Sequence, residues 1–463
     1  MTHGDGQMLE ERIAEWRSYV RRREAIDPAD VDELEDHLRS QVAALEEAGL
    51  AEDEAFLIAV KRIGALDTLS DEFAREYSER LWKRLVVAPA TAEGSGEGRR
   101  EALVALGLAV AAAVAIKIPA LFGVTFDTST AHAAGAANES FYIRNFSLLV
   151  LPFLAGFFAW KRKLAPSGRY WLAAPFVAAA LVMNLIPFTM GGYTESLAAI
   201  HLPIALWLAA GFGYAAGAWH DHDRRMNYVR FSGEWFIYYA LIALGGGVFI
   251  GFTVLLFSAI GLKVELLVNN WILPCGIAGA VIIGAWLVEA KQSVIENMAP
   301  VLTLLFTPLF TLLLLAFLVT MVVTGSAIAV DRKVLIGFDL LLVLVVGLIL
   351  YAISARDNRA EPRFFDTLQL ILVVCALLVD AVALWAIAAR ISEFGFSPNK
   401  VAALGENIVL LVNLAGSAVL YARFVAGKAP FAALERWQTA YLPVYAVWAS
   451  VVVVIFPFVF RFQ

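Results

Sequence analysis

The chain has 463 residues, of which 60% are hydrophobic and only 17% charged, and its mean hydropathy is +0.71. Soluble globular chains carry about 25% charged residues, so this composition excludes a wholly soluble protein and points to helices buried in lipid. The net charge of −6 is unevenly spread: residues 1–90 hold 21 of the 42 acidic and 12 of the 36 basic side chains, a net of −9, which leaves +3 for the rest. Such an acidic front segment excludes nucleic acid and an anionic lipid surface as its partners.

Four short helices are expected in the front segment. Leu9, Ile13, Trp16 and Val20 recur at three- and four-residue steps, which predicts a first helix over 8–23. The second is delimited by Asp27 as a cap, Pro28 at the first helical position and Gly49 as the stop, with Val31, Leu34, Leu38, Val42 and Leu45 as its apolar stripe. A third is expected over 52–63, ending at Gly64, and a fourth from Asp67 into the basic and aromatic patch Arg80–Arg84. No apolar core of the secretory kind falls in the first hundred residues, so the N-terminus is expected to stay in the cytoplasm. His37 stands alone among acidic neighbours and predicts no chemistry. The stretch Pro89–Arg100, rich in Gly, Ser and Ala, is expected to be a flexible linker.

The pattern Asp32-Glu-Leu-Glu-Asp-His-Leu38, Leu45-Glu-Glu-Ala-Gly-Leu50, Glu54-Ala-Phe56 and Arg62-Ile-Gly64 resembles the permease-prefix (HAAS-like) domain that precedes bacterial membrane proteins. That resemblance covers about a fifth of the chain. It implies a cytoplasmic regulatory or coupling module over 1–88, with a protein partner, and no enzyme.

After the linker, apolar runs long enough to cross a bilayer (about 20 residues each) predict roughly eleven spans. They fall near 102–124, 141–160, 170–189, 197–219, 234–261, 268–288, 301–327, 334–354, 364–389, 401–425 and 439–460. The second is short and preceded by polar residues. With the N-terminus inside, the inner loops carry 14 Lys and Arg and the outer ones 7, in line with the positive-inside bias. An odd number of spans then puts Gln463 outside. The fold class expected is all-α: a polytopic transmembrane bundle over 101–463 behind a small soluble helical domain.

Ionisable residues inside spans are costly and therefore informative. Asp380 is the sharpest, about 13 Å below the outer end of its span at 1.5 Å per residue. By the same arithmetic Lys117 lies about 10 Å below its own outer end. Similar depth predicts an Asp380–Lys117 ion pair, against a bland alternative in which Lys117 snorkels and Asp380 is satisfied by a hydroxyl or amide or is protonated. Glu406, Asn184, His201 and Asn413 fall in the centres or outer halves of their spans and are expected to share a polar cavity. Gly245, Gly246, Gly247 and Gly251 are expected at a close helix contact, and Pro187, Pro203, Pro274 and Pro308 to bend spans. His220-Asp-His-Asp223 has the residue types of a metal site, but adjacent residues diverge and no third group completes the shell, so a solvated loop is expected. Cys275 and Cys375 imply neither a disulfide framework nor a metal. Nucleotide-binding and nucleophile motifs are missing, and no metal or cofactor is implied.

Between the ninth and tenth spans runs Arg390-Ile-Ser-Glu-Phe-Gly-Phe-Ser-Pro-Asn-Lys400. This motif resembles one in a widespread bacterial family of membrane domains of unknown function, with Phe394 and Lys400 where that pattern has Tyr and Arg. It implies fold and membrane location over roughly 140–460. It also makes Arg390, Glu393 and Asn399 candidates for a site at the outer surface.

The expected function is that of a regulatory or sensory protein of the bacterial cytoplasmic membrane, with the front domain as its coupling module. The alternative is a secondary transporter using Asp380, Lys117 and Glu406. A lipid-modifying enzyme lacks a clustered acid/base set, and none is expected. The bilayer is the one certain environment; oligomeric state is left open.

Overall fold

The computed structural model describes residue 13 and residues 28–47, 55–56, 58–60, 95–125, 132–259, 262, 264–290, 298–324, 332–356 and 361–462. Among these, all regular structure is helical. The chain divides into two units, 1–96 and 97–463.

In the first unit, helix α1 (Pro28–Glu47) begins at the predicted proline. Leu38, Val42 and Leu45 of its stripe are buried, as are Ile13, Ala55 and Ala59, while His37 is exposed. The other expected front helices lie mostly outside the described residues.

Among the described residues eleven long helices follow, the first of them entering the second unit at residue 97: α2 (Ser95–Lys117), α3 (His132–Lys161), α4 (Pro166–Leu185), α5 (Tyr193–Tyr214), α6 (His222–Ala259), α7 (Leu273–Ala290), α8 (Met298–Thr324), α9 (Arg332–Ala355), α10 (Phe364–Phe394), α11 (Pro398–Val425) and α12 (Ala432–Val454). A π-turn, Val268–Ile272, leads into α7. Among the described residues ten of these helices, all but α4, are long and apolar enough to cross a membrane, and the protein is multi-pass. The third expected span is therefore a correction by that measure: Arg169, Pro175 and Asn184 dilute the apolar run of α4.

Its geometry nonetheless matches a crossing. Near its C-terminus Asn184 meets Asn145 of early α3 (2.8 Å), while Leu172 near its N-terminus lies against Gly213, at the far end of α5. So α4 runs antiparallel between its two neighbours and shares their height. The helix ends also group as alternate crossings require. Lys161 pairs with Glu101 and with Glu289 (3.1 Å), which gathers the start of α2 and the ends of α3 and α7. At the opposite end the Thr189 amide donates to the Phe462 carbonyl (3.1 Å).

Two boundaries differ from expectation. The linker does not reach Arg100, because α2 already begins at Ser95, where Ser95 and Glu97 favour a helix start. The second span is not short: α3 takes in the polar stretch before it. Those polar residues are paired. Ser140 donates to Glu195, Arg144 sits 3.2 Å from the same carboxylate, and the Gly191 amide donates to its other oxygen (2.7 Å). Glu195 is buried, so the pairing compensates a charge that would otherwise be costly in the membrane.

One large apolar cluster joins α2, α3, α5 and α7, centred on Phe157, Phe158, Leu154 and Ile282. A second joins α9, α10 and α11, with Leu342, Leu372, Val379 and Leu414. Long α6 has the opposite character: no residue in its most apolar window is buried. The expected glycine contact is not made among the described residues, since a Cβ on Gly245, Gly246, Gly247 or Gly251 would meet open space there.

Candidate functional site

Asp380 stands 16 residues from the start of α10 and 14 from its end, so it lies at mid-helix, deeper than its expected place. Continuation of α10 to Phe394 accounts for the difference. Asp380 is fully enclosed, and neither carboxylate oxygen has a hydrogen-bond partner among the described residues. Apolar residues flank it along the helix: Cys375, Ala376 and Val379 on one side, Ala383, Ala386 and Ile387 on the other.

Two further carboxylates, Asp339 of α9 and Glu406 of α11, lie within electrostatic reach of Asp380 and of each other. Asn407 links the group: its Nδ2 donates to Asp339 Oδ1 (2.8 Å) and to the Ala403 carbonyl (2.8 Å). The Asn407 side-chain oxygen is buried with no hydrogen-bond partner among the described residues. Three helices thus converge three carboxylates and one amide inside a bundle whose surroundings are apolar. An uncompensated charge in such a place is costly, and a proton or a small bound cation removes the cost.

Lys117 is not part of this site. It ends α2, donates to the Asn270 carbonyl and lies 4.6 Å from the centre of the Trp271 ring, both in the π-turn before α7. The expected ion pair fails because α2 packs in the first apolar cluster and Asp380 sits at mid-helix in another part of the bundle.

Nor do the remaining polar residues share one cavity. Asn184 pairs with Asn145, and His201 Nδ1 lies 2.8 Å from the Leu197 carbonyl of its own helix. Asn413 donates to Gln438 (2.9 Å), which donates to Ser417 (2.6 Å), forming a separate buried network between α11 and α12. Each is satisfied locally.

The outer-loop motif builds a corner. Gly395 ends α10 at φ 73°, Lys400 donates to the Gly395 carbonyl (2.8 Å) and caps the helix, and Pro398 opens α11. Arg390 and Lys400 lie 6.0 and 5.5 Å from the Phe394 ring centre. Glu393 is exposed and Asn399 half-buried. In the His220–Asp223 run, Asp221 caps α6 by accepting the Asp223 amide (3.0 Å), and His222 Nδ1 lies 2.6 Å from Thr439 Oγ1.

Asp339 and Asn407 were missed by sequence reasoning. Asp339 stands seven residues into α9, close enough to Arg332 and Lys333 to pass for a helix-end charge. Asn407 has one clear signal, its position beside Glu406 inside an apolar run.

Compared with protein-family models, curated proteins and solved structures, the chain matches none. The chain's own residues therefore carry the functional reading.

Proposed function

We propose that the chain is a secondary transporter of the bacterial cytoplasmic membrane, N-terminus inside, coupled to protons or a small cation through Asp380. The observation that carries this reading is the enclosed Asp380 carboxylate, without a hydrogen-bond partner among the described residues and within electrostatic reach of two more acidic groups. A structural carboxylate is normally paired, as Glu195 and Asp366 are here. One held unpaired at mid-helix is a place for a mobile positive charge. Asp339 and Glu406 add negative charge within electrostatic reach of it. No catalytic step is assigned to the chain.

The test is reconstitution of the full chain in sealed vesicles carrying a pH-sensitive dye, beside Asp380→Asn. Flux in the parent that disappears in the variant supports the reading. Equal flux in both, or none in either under proton and sodium gradients, overturns Asp380 as the coupling group.

A regulatory role for residues 1–88 is the second reading. Its support is that the first unit is compact by itself and has Asp36 and His37 of α1 exposed. Deleting residues 1–88 is expected to change the rate or gating of flux while leaving its dependence on Asp380 intact.

A further inference from the structure

A second polar feature lies at the other end of the bundle, where Lys161, Glu101 and Glu289 meet. A cavity of about 420 Å³ opens there, in the size range of small-ligand sites, lined by Arg162, Tyr214, Arg224, Asn227, Arg230 and Glu234. Arg224, Asn227 and Arg230 recur every three residues in the first turns of α6 and so present one face. The positive end of the helix dipole adds to their charge.

Arg162 and Arg224 each pair with one carboxylate, Glu289 and Asp221, through a single nitrogen, and Arg230 binds a backbone carbonyl. Arg230 donates from Nε (2.9 Å) and Nη2 to the Ser354 carbonyl, a neutral acceptor. Arg224 donates from Nη1 to the Ala215 carbonyl (2.9 Å), and its Nε is 3.5 Å from Asp221. Arg162 is held over the Tyr214 ring (4.6 Å) by its ion pair with Glu289 (2.7 Å), and its Nε is buried without a hydrogen-bond partner among the described residues. The backbone contacts fix where the forks point and leave other N–H groups to donate. Within the lining three guanidinium groups face one carboxylate, Glu234, while Glu289 and Asp221 pair with Arg162 and Arg224 from outside it.

We propose that this cavity binds an anionic phosphate group, seated between Arg162, Arg224 and Arg230. Planar guanidinium forks match phosphate oxygens, and basic pockets between helices suit phosphate headgroups as well as soluble phosphates. This site is separate from the Asp380 group and does not depend on the transport reading.

The test uses the full chain stripped of lipid in detergent, and the same chain in phosphatidylcholine nanodiscs. Inorganic phosphate and glycerol 3-phosphate are titrated in detergent at constant ionic strength set with chloride. Phosphatidylglycerol is added to the nanodiscs, and retained lipid is read by native mass spectrometry. Saturable binding in the first arm identifies a soluble phosphate; selective retention in the second identifies a headgroup; either supports the site. Arg230→Gln is expected to weaken binding about tenfold, the loss of one charge-assisted contact. Arg224→Gln, at an exposed position, gives the same readout without disturbing the packing. No saturable binding in either arm, or binding unchanged in both variants, overturns the proposal.

Discussion

Arg356 and Asp366 form a two-pronged ion pair across the connection between α9 and α10, with Nε 2.7 Å from Oδ1 and Nη2 3.0 Å from Oδ2. The guanidinium is held between the Phe424 and Phe431 rings, 4.6 and 4.5 Å from their centres. Asp366 Oδ2 also accepts the Arg363 amide (2.7 Å) at the start of α10. One pair thus joins α9, α10, α11 and the turn before α12. Asp366→Ala leaves a part-buried guanidinium without its carboxylate and is expected to cost about 3–5 kcal/mol. Arg356→Lys loses the fork and the ring sandwich and is also expected to destabilise. Thermal unfolding in detergent measures both, and a double variant no worse than Asp366→Ala alone would confirm that the two act as a unit.

The helices were legible because each span must satisfy its backbone internally, so apolar runs such as 301–327 and 364–389 declare themselves by length. Asp380 was legible for the same reason: a lone carboxylate in such a run stands out. The Asp339–Asn407 contact in its electrostatic surroundings was not, because the two come together from positions 68 residues apart with no shared motif. The Lys117 pairing failed because equal depth along two spans says nothing about which helices touch. The Arg356–Asp366 pair was hidden too, since Arg356 reads in sequence only as one more inner-loop cation.

Lys117 and Asp380 are expected to behave as independent sites. Lys117→Ala loses its hold on the Asn270 carbonyl, and Asp380→Asn alters the α9–α10–α11 group. Their effects on unfolding free energy should add within about 0.5 kcal/mol. A coupling well beyond that would restore the ion pair that the sequence predicted.

Two glycines mark tight contacts that the glycine-rich stretch of α6 does not make. A Cβ on Gly405 would overlap the Trp448 ring, and one on Gly416 the Trp437 ring, whose Nε1 donates to the Asn413 carbonyl (3.2 Å). Gly416→Ala and Gly405→Ala should each cost about 1–3 kcal/mol through overpacking. Gly246→Ala, with open space at its Cβ, should be neutral or stabilising by up to about 1 kcal/mol from helix propensity. Parallel melting curves of the three variants decide the point. A loss for Gly246→Ala as large as for the others would place a packing partner on that face.

Asp380 separates stability from function most sharply. A buried polar group without a partner does not help the fold, and an apolar residue of similar shape in its place is neutral or stabilising. Asp380→Leu is therefore expected to hold or raise the midpoint of thermal unfolding while abolishing ion flux in vesicles. A carboxylate with a structural task would do the reverse, as Asp366→Ala should, lowering the midpoint by several degrees. The sign of the change in melting temperature thus distinguishes a coupling site, kept at a cost in stability, from one more buried polar contact.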